Sequence, residues 1–311
     1  YAPQGHTFWN ASVDYAWHHH RLSIMGETAI DAKGSVATLN ILRVKAADRL
    51  HFTLLQRYYP HDFWALEGKS FSSSSDVRNE QGLYLGAEWQ PHRRLQLIAY
   101  VDGCYFPYLR YRVSSPSYGT DGTVTARYTM NNNHSLQLRY RFRLKQRDVS
   151  EGYTLPSGGL LNEWTHRIRL QWNGTLTPTV TCQALAEGNV VQAETLSTGV
   201  MGSIQGTYSP AFGHHALRFS TGITAFHADY TARLYGYERG LLYAYNYQMY
   251  YGTGLRGYLL LQYSHKESPR LTATAKIGTT HYFDRDVISS GAAMIAAPHR
   301  EDIQLQVRYT F

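Results

Sequence analysis

A period of two in hydrophobic and polar residues dominates this chain. The segment 302–311 places an apolar residue at nearly every odd position and a polar residue at every even position. The same alternation runs through 136–145 and 165–172, and a weaker form marks 21–30, 82–89, 94–102, 123–130, 216–223 and 271–282. Such alternation predicts strands with one apolar and one polar face. No segment shows the periodicity of a helix.

Two kinds of connection join the predicted strands, and they alternate along the chain. The short ones are rich in Asn, Gly, Pro and other polar residues, as tight turns require. They lie at 18–20, 46–48, 91–93, 131–133, 173–178, 209–214 and 266–270, whereas long irregular ones lie at 59–81, 107–119, 147–161, 226–252 and 284–300. The connection at 31–34 is short where a long one is expected.

A soluble antiparallel sandwich would also alternate, but three features favour an outer-membrane barrel. Strands of about ten residues can cross a bilayer when tilted, and barrels alternate short periplasmic turns with long outer loops. Aromatic residues such as Tyr58, Trp172 and Phe283 stand at strand ends, like interfacial girdles. The last strand, with Tyr309 and Phe311, resembles the signal read by the barrel-assembly machinery. We predict an all-β, antiparallel transmembrane β-barrel of the bacterial outer membrane over residues 1–311.

This prediction also fixes an expected orientation and an expected strand number. If Phe311 ends in the periplasm, the short connections are periplasmic and the long ones external. The strand at 7–17 then runs downward from outside, so the count is odd, about fifteen. Single-chain bacterial barrels have even numbers of strands. We therefore expect the sequence to be the C-terminal portion of a larger barrel, with further strands upstream.

Composition removes several other classes. Aromatic residues make up 14% of the chain, 26 residues are Tyr, and charged residues are only 17%, which is not the composition of a disordered chain. No run approaches the ~18 apolar residues of a membrane-spanning helix. Cys104 and Cys182 are too few for a disulfide scaffold, and we interpret them as isolated small residues.

The polar faces carry mostly positive charge, and this is the candidate functional feature. The expected basic inner face consists of Arg139, Arg141, Arg143, Lys145, Arg167, Arg169 and Arg308. Because like charges on neighbouring strands repel, something anionic should compensate. The candidates are a passing anion, an acidic plug, or carboxylates such as Glu27, Glu88, Asp102 and Glu163. An internal ion-pair network that serves only as a core is the alternative.

No pattern of residues predicts catalysis. There is no Gly-rich phosphate loop and no G-x-S-x-G motif, and no Ser is evident as a partner for His134, His166 or His281. The histidines at 18–20 are interpreted as a polar turn and the serines at 72–75 as a flexible loop segment. We expect no enzyme, no catalytic residue, no cofactor and no metal site.

Several ordered, uncommon stretches resemble one family. They are 26–31 (GETAID), 55–60 (LQRYYP), 79–91 (NEQGLYLGAEWQP), 106–121 (FPYLRYRVSSPSYGTD), 138–145 (LRYRFRLK), 232–238 (ARLYGYE) through 250–263 (YYGTGLRGYLLLQY), and 282–291 (YFDRDVISSG). From about residue 13 onward, the chain resembles the C-terminal barrel part of the helix-hairpin-helix-containing (ComEA-like) outer-membrane proteins of Bacteroidota. The resemblance implies DNA uptake, with nucleic acid bound by an upstream segment that these residues do not include.

Two functional hypotheses follow. One is uptake or transport of an anionic polymer such as DNA, based on the basic face and on the resemblance. The other is a non-catalytic accessory or structural subunit of an outer-membrane assembly, such as a secretion or insertion complex. Expected partners are outer-membrane lipid, lipopolysaccharide, the barrel-assembly machinery and other outer-membrane proteins. A polar face covered by loops or by a partner favours the second hypothesis.

Overall fold

Antiparallel strands account for nearly all regular structure in a computed structural model, which describes residues 6–65, 68–150, 159–265 and 270–310. The strands are β1 (Asn10–His19), β2 (Leu22–Asp31), β3 (Val36–Ala47), β4 (Leu50–Tyr59), β5 (Glu80–His92), β6 (Leu95–Phe106), β7 (Ser117–Asn131), β8 (His134–Arg147), β9 (Leu161–Thr177), β10 (Val180–Gln192), β11 (Leu196–Tyr208), β12 (Ala211–Phe212), β13 (His215–Ala228), β14 (Leu234–Tyr237), β15 (Tyr247–Tyr250), β16 (Gly252–His265), β17 (Arg270–Tyr282) and β18 (His299–Thr310). One 3-10 turn lies at Gly291–Ala293. No helix among these residues is long and apolar enough to cross a membrane.

The strands follow chain order in the sheet, which confirms the all-β antiparallel prediction. Within the described residues, the sheet has sixteen strands; β12 pairs at the side with β13, and β14 and β15 form a separate hairpin. Short and long connections alternate as predicted, except at 32–35 and 193–195, where short connections stand at the end of the long ones. Sequence patterns missed β10 and β11, and they missed the three-residue connection 193–195 at the end of the strands where long loops were expected. The β14–β15 hairpin lies inside the predicted long connection 226–252.

The chain divides into two units. Unit one contains residues 1–126, 139–166 and 192–195, and unit two contains 127–138, 167–191 and 196–311. Each has strands with one apolar face exposed and one polar face covered by the chain itself.

In unit two, the apolar faces of adjacent strands line up. Register pairs Ile204 with Ile223 across β11 and β13, and Leu259 with Ile277 across β16 and β17. In β18, Ile303, Leu305, Val307 and Tyr309 are exposed, with Leu305 at 76%. Gln304 and Gln306 point to the opposite, half-buried face, as the alternation predicts. The exposed apolar side chains therefore continue from strand to strand.

The opposite face of unit two is covered by the long connection between β13 and β16. A buried apolar cluster joins the strands to this connection; its members are Met201, Phe226, Ala228, Leu234, Tyr250, Tyr282 and Ile288. The β14–β15 hairpin packs here because Leu234 and Tyr250 face the strands and are almost completely buried. Farther along, Leu242 donates its backbone N–H to Gln306 and accepts a hydrogen bond from the same side chain.

Unit one repeats this arrangement with another loop. Leu83, Leu85 and Trp89 of β5 are exposed on its apolar face. On the polar face, Ala37, Tyr59 and Phe63 form a buried cluster between the strands and the connection 60–79. Tyr59 also donates its hydroxyl hydrogen to the backbone oxygen of Phe71. The loop is thus held against the sheet by both apolar and polar contacts.

Candidate functional site

A buried ion cluster lies beneath the loop of unit one. The Arg57 guanidinium of β4 donates from Nε to Glu80 of β5 at 2.5 Å and from Nη1 to Asp102 of β6 at 2.7 Å. A second hydrogen bond to Asp102 completes a bidentate pair. Register places all three residues on one face of adjacent strands. One cation and two carboxylates are thereby removed from water, which is tolerable because each is hydrogen-bonded.

The serine run at 72–75 was interpreted as a flexible loop segment, and in the structure its first two residues are hydrogen-bonded to the ion cluster. The Ser72 hydroxyl donates to Glu80 at 2.6 Å, and the Ser73 backbone N–H donates to the same carboxylate. Arg57 donates to the Ser73 hydroxyl, and its guanidinium lies 5.1 Å from the centre of the Phe71 ring. A loop rich in serine supplies many small hydrogen-bonding groups, so it can dock onto a charged cluster.

Gly82 makes room for this cluster. It pairs with Arg57 across β4 and β5, and a Cβ atom at Gly82 would overlap the Arg57 guanidinium. The absence of a side chain lets the guanidinium lie flat across the neighbouring strand. The sequence signal was available, because glycine inside a strand often marks a close approach.

Unit two contains its own buried ion cluster, and its central carboxylate comes from the inserted loop. Glu238, just after β14, accepts hydrogen bonds from Arg256 of β16 at 2.6 Å and from Lys276 of β17 at 2.9 Å. Asp302 of β18 accepts from Arg256 at 2.8 Å. Two cations meet two carboxylates, so the cluster is neutral as a set. The sequence analysis singled out none of these four residues.

Part of the predicted basic face lines a pocket in unit one. Arg141 and Arg143 of β8 both reach Asp121 of β7; Arg141 Nη2 lies 2.5 Å and Arg143 Nε 3.7 Å from the carboxylate. Tyr100 also donates to Asp121. The pocket has a volume of about 450 Å³ and is lined by the loop at Phe71–Ser73 and by residues of β5 to β8.

Two further cations face the same pocket. Arg110, in the connection between β6 and β7, stacks over the Phe106 ring at 3.5 Å and donates to Ser117. Its Nε is buried without a hydrogen-bond partner, and burial lowers the pKa of its guanidinium. Among the described residues, Lys145 has neither an ion pair nor a hydrogen bond. Since Asp102 is held by Arg57, only Asp121 remains to balance four cations.

The other residues predicted for the basic face lie in different surroundings. In unit two, Arg167 and Arg169 both pair with the buried carboxylate of Glu187. Arg139 is half-buried in unit one, and Arg308 is exposed on β18. Tyr309 of the expected assembly signal is exposed, and Phe311 lies outside the described residues.

The compensating carboxylates were partly misidentified. Of the expected ones, Asp102 pairs with Arg57, Glu163 pairs with Arg147, and Glu88 accepts a hydrogen bond from the Gln96 amide. Asp121 pairs with the arginines of β8, and Glu187 pairs with those of β9. Both stand at positions whose alternation is broken by glycines and alanines, so the sequence pattern gave them little weight.

The exposed apolar faces decide the class of protein. Long antiparallel strands present Ile, Leu and Val to the outside at alternate positions, while ionic clusters are buried on the other face. Water does not favour such a continuous apolar surface, whereas lipid does. This is an outer-membrane β-barrel protein. Its place is the bacterial outer membrane.

No protein family and no curated protein matches this β-barrel protein. Among solved structures, it is similar to OmpT of Vibrio cholerae in its trimer form, with 12% identity and a TM-score of 0.42 over 96% of this chain and 90% of that one. The RagAB peptide importer in its closed-closed state gives 10% identity and a TM-score of 0.49, over 96% of this chain and 47% of that one. The anion-selective porin from Comamonas acidovorans gives 8% and 0.37, over 98% and 100%. No residue role is transferred from these proteins.

Proposed function

We propose that this outer-membrane protein takes up anionic molecules and captures them in the basic pocket of unit one. One observation carries the proposal: Arg110, Arg141, Arg143 and Lys145 line the pocket, and among the described lining residues only Asp121 pairs with any of them to balance their charge. A surplus of three positive charges in a concave, partly desolvated site attracts anions. Guanidinium groups also bind phosphate or carboxylate with two parallel hydrogen bonds.

The position of the pocket fits capture from outside the cell. Its lining comes from the loops that follow β4 and β6 and from the adjoining strand ends. On the predicted orientation, these long connections are external. An anion arriving from the medium would therefore meet Lys145 and Arg143, which are not fully neutralised, before it reached the Arg57 cluster.

The test is transport by the purified protein in planar lipid bilayers, with pyrophosphate as the anion and Lys145→Gln and Arg143→Gln as variants. Each substitution removes one charge from the pocket and keeps a polar side chain at the position. We expect lower pyrophosphate affinity by about tenfold per charge, since a hydrogen bond to a charged group contributes about 1.5–3 kcal/mol. Selectivity for anions over cations should fall in parallel.

Arg94→Gln is the matched control, because Arg94 is an exposed cation in the short connection of β5 and β6 of the same unit. It should leave affinity and selectivity unchanged. Unchanged transport in Lys145→Gln and Arg143→Gln, together with a lower unfolding midpoint, would assign these cations to stability alone.

The second candidate function is a structural or accessory subunit. It is favoured by a different observation, the burial of ion clusters under docked loops in each unit. Such loops occupy polar surface that a wide pore would leave open to water. If the protein conducts no anion but is purified from native membranes with a stable partner, this function replaces the first.

DNA uptake is the narrower function implied by the resemblance. It would depend on a helix-hairpin-helix segment outside these residues, so we propose anionic molecules only as a class. Binding to lipopolysaccharide and to the barrel-assembly machinery stays a prediction.

A further inference from the structure

A cavity in unit two differs in chemical character from the basic pocket of unit one. It has a volume of about 400 Å³ and lies where β7 turns into β8 and where β9 turns into β10. Its lining includes the amides of Asn131, Asn173, Gln183 and Gln205 and the hydroxyls of Thr129 and Thr207. Amides and hydroxyls dominate, and the volume is in the range of small-molecule sites.

The charge in this cavity is a single cation. Arg239 is the only Arg, Lys, Asp or Glu among the described lining residues. No hydrogen bond or ion pair of the Arg239 side chain is found among the described residues. Its backbone N–H donates to the Tyr258 hydroxyl, which fixes its position in the loop. The cavity can therefore balance one negative charge.

Hydrogen bonds hold the amide groups in fixed orientations. The Asn173 oxygen accepts from both Gln171 and Gln183, so the Asn173 amide N–H groups remain available as donors. Gln205 accepts from the Tyr258 hydroxyl at 2.8 Å and donates to the Tyr237 carbonyl at 2.7 Å. The cavity also contains His134 Nδ1, a buried nitrogen without a hydrogen-bond partner. Fixed donors and acceptors lower the entropic cost of binding a polar ligand.

The hairpin that supplies Arg239 also carries exposed aromatic rings. The Tyr237 ring lies 5.5 Å from that of Tyr247, and Tyr247 lies 6.1 Å from Tyr245. Tyr245 is 77% exposed, although the β14–β15 hairpin is anchored at its other end. These rings stand on the same hairpin as Arg239, but none of the three tyrosines is among the residues that line the cavity.

We propose that this cavity binds a saccharide that carries one acidic group. The amides and hydroxyls of the lining match the many hydroxyls of a sugar, and Arg239 matches one carboxylate. A polyphosphate or nucleic acid would require several cations, and an apolar ligand would leave the amides unpaired. On the predicted orientation, the cavity lies at the periplasmic end of the strands.

The test compares two sugars that differ in one carboxylate-bearing group, N-acetylmuramic acid and N-acetylglucosamine. Binding to the whole protein in detergent micelles is measured by saturation-transfer NMR and by titration. The wild-type protein should bind both and prefer the acid. Arg239→Gln should lower affinity for the acid by about tenfold and leave the neutral sugar unchanged. Arg239→Lys should keep part of the preference, because it keeps the charge.

Tyr245→Ala is the matched control: it should leave the affinity for both sugars unchanged, because Tyr245 stands on the same hairpin as Arg239 but does not line the cavity. Arg143→Gln should leave sugar binding intact, which separates this inference from the proposed uptake of anions. The inference is overturned if neither sugar binds, if an Ala-Glu peptide binds more tightly than either, or if Arg239→Gln affects both sugars equally.

Discussion

The substitution Glu238→Gln tests whether the inserted loop is held to unit two by charge. The Glu238 carboxylate is 2% exposed and accepts two hydrogen bonds from Arg256, one from Lys276 and one from Tyr250. The amide that replaces it would keep one acceptor oxygen but no charge. Arg256 would still have Asp302, whereas Lys276 would lose its only carboxylate partner among the described residues.

The size of the effect follows from this asymmetry. Removing one partner of a buried ion pair costs about 3–5 kcal/mol, because the other charge stays buried and uncompensated. After the substitution, Lys276 keeps contact with the remaining amide oxygen and with the Tyr258 ring, which lies 4.8 Å from its Nζ. The expected loss of stability is therefore near the lower limit of this range. We therefore expect Glu238→Gln to destabilise unit two by about 3 kcal/mol.

The assay is guanidinium unfolding of the protein in lipid vesicles, followed by circular dichroism and combined with a double-mutant cycle. Lys276→Met alone should also destabilise, since it leaves Glu238 with less compensation. The double variant Glu238→Gln, Lys276→Met restores charge balance around Arg256 and Asp302. Its cost should fall below the sum of the single costs by about 2 kcal/mol.

Two results would refute this reasoning. A single Glu238→Gln cost below about 1 kcal/mol would mean that the apolar contacts of the hairpin hold the loop without the ion cluster. Additive costs in the double variant would mean that Glu238 and Lys276 do not interact, whatever their distance.

Three further predictions concern the strands and the loops. Gly82→Ala should cost about 1–3 kcal/mol because a Cβ would overlap the Arg57 guanidinium, whereas the control Gly103→Ala, with open space around its Cβ, should change the unfolding free energy by about 0.5 kcal/mol at most. A spin label at Leu305 should be accessible to oxygen in lipid, and a label at Gln306 should not; equal exposure of both to a water-soluble relaxation agent would contradict the assignment of the faces. Hydrogen bonds from Ser114 lower the pKa of Asp148. The hydrogen bonds between Ser114 and Asp148 should therefore persist as pH falls through the ordinary carboxyl range. They should be lost only as pH falls through the lowered pKa. The Ser114 amide resonance should report this titration, and Asp148→Asn should abolish it.

The strands were predictable because their two faces meet different surroundings. In β18, every apolar residue must face outward once Leu305 does, so a pattern of period two determines the orientation of the whole strand. Strands β10 and β11 were not predicted, because glycine, serine and threonine reduce the difference in hydrophobicity between their two faces. In β11, for example, small residues stand on both faces of the strand, as at Gly199 and Gly202.

The ion clusters and the cavities were not predictable in the same way. Arg57 stands on the polar face of β4, but its partners Glu80 and Asp102 lie 23 and 45 residues away and meet it only through the register of three strands. Glu238 lies in a long connection, where no periodicity shows which residues turn back onto the sheet. The local sequence pattern thus predicts which face of a strand a residue occupies. The ion pairs depend on tertiary contacts, which the local pattern does not contain.

The geometry of the Arg57 cluster also bears on how the chain assembles. Its three charges stand on β4, β5 and β6, so the cluster closes only when three strands have found one particular alignment. A slip of one residue would turn Arg57 away from Glu80 and Asp102 and toward lipid, where a cation costs about 2–4 kcal/mol at the midplane and less toward the strand ends, where Arg57 lies. Misaligned intermediates would therefore be unstable and would return to unpaired strands before the serine loop could dock. The cluster therefore stabilises one register of β4, β5 and β6 over its nearest competitors.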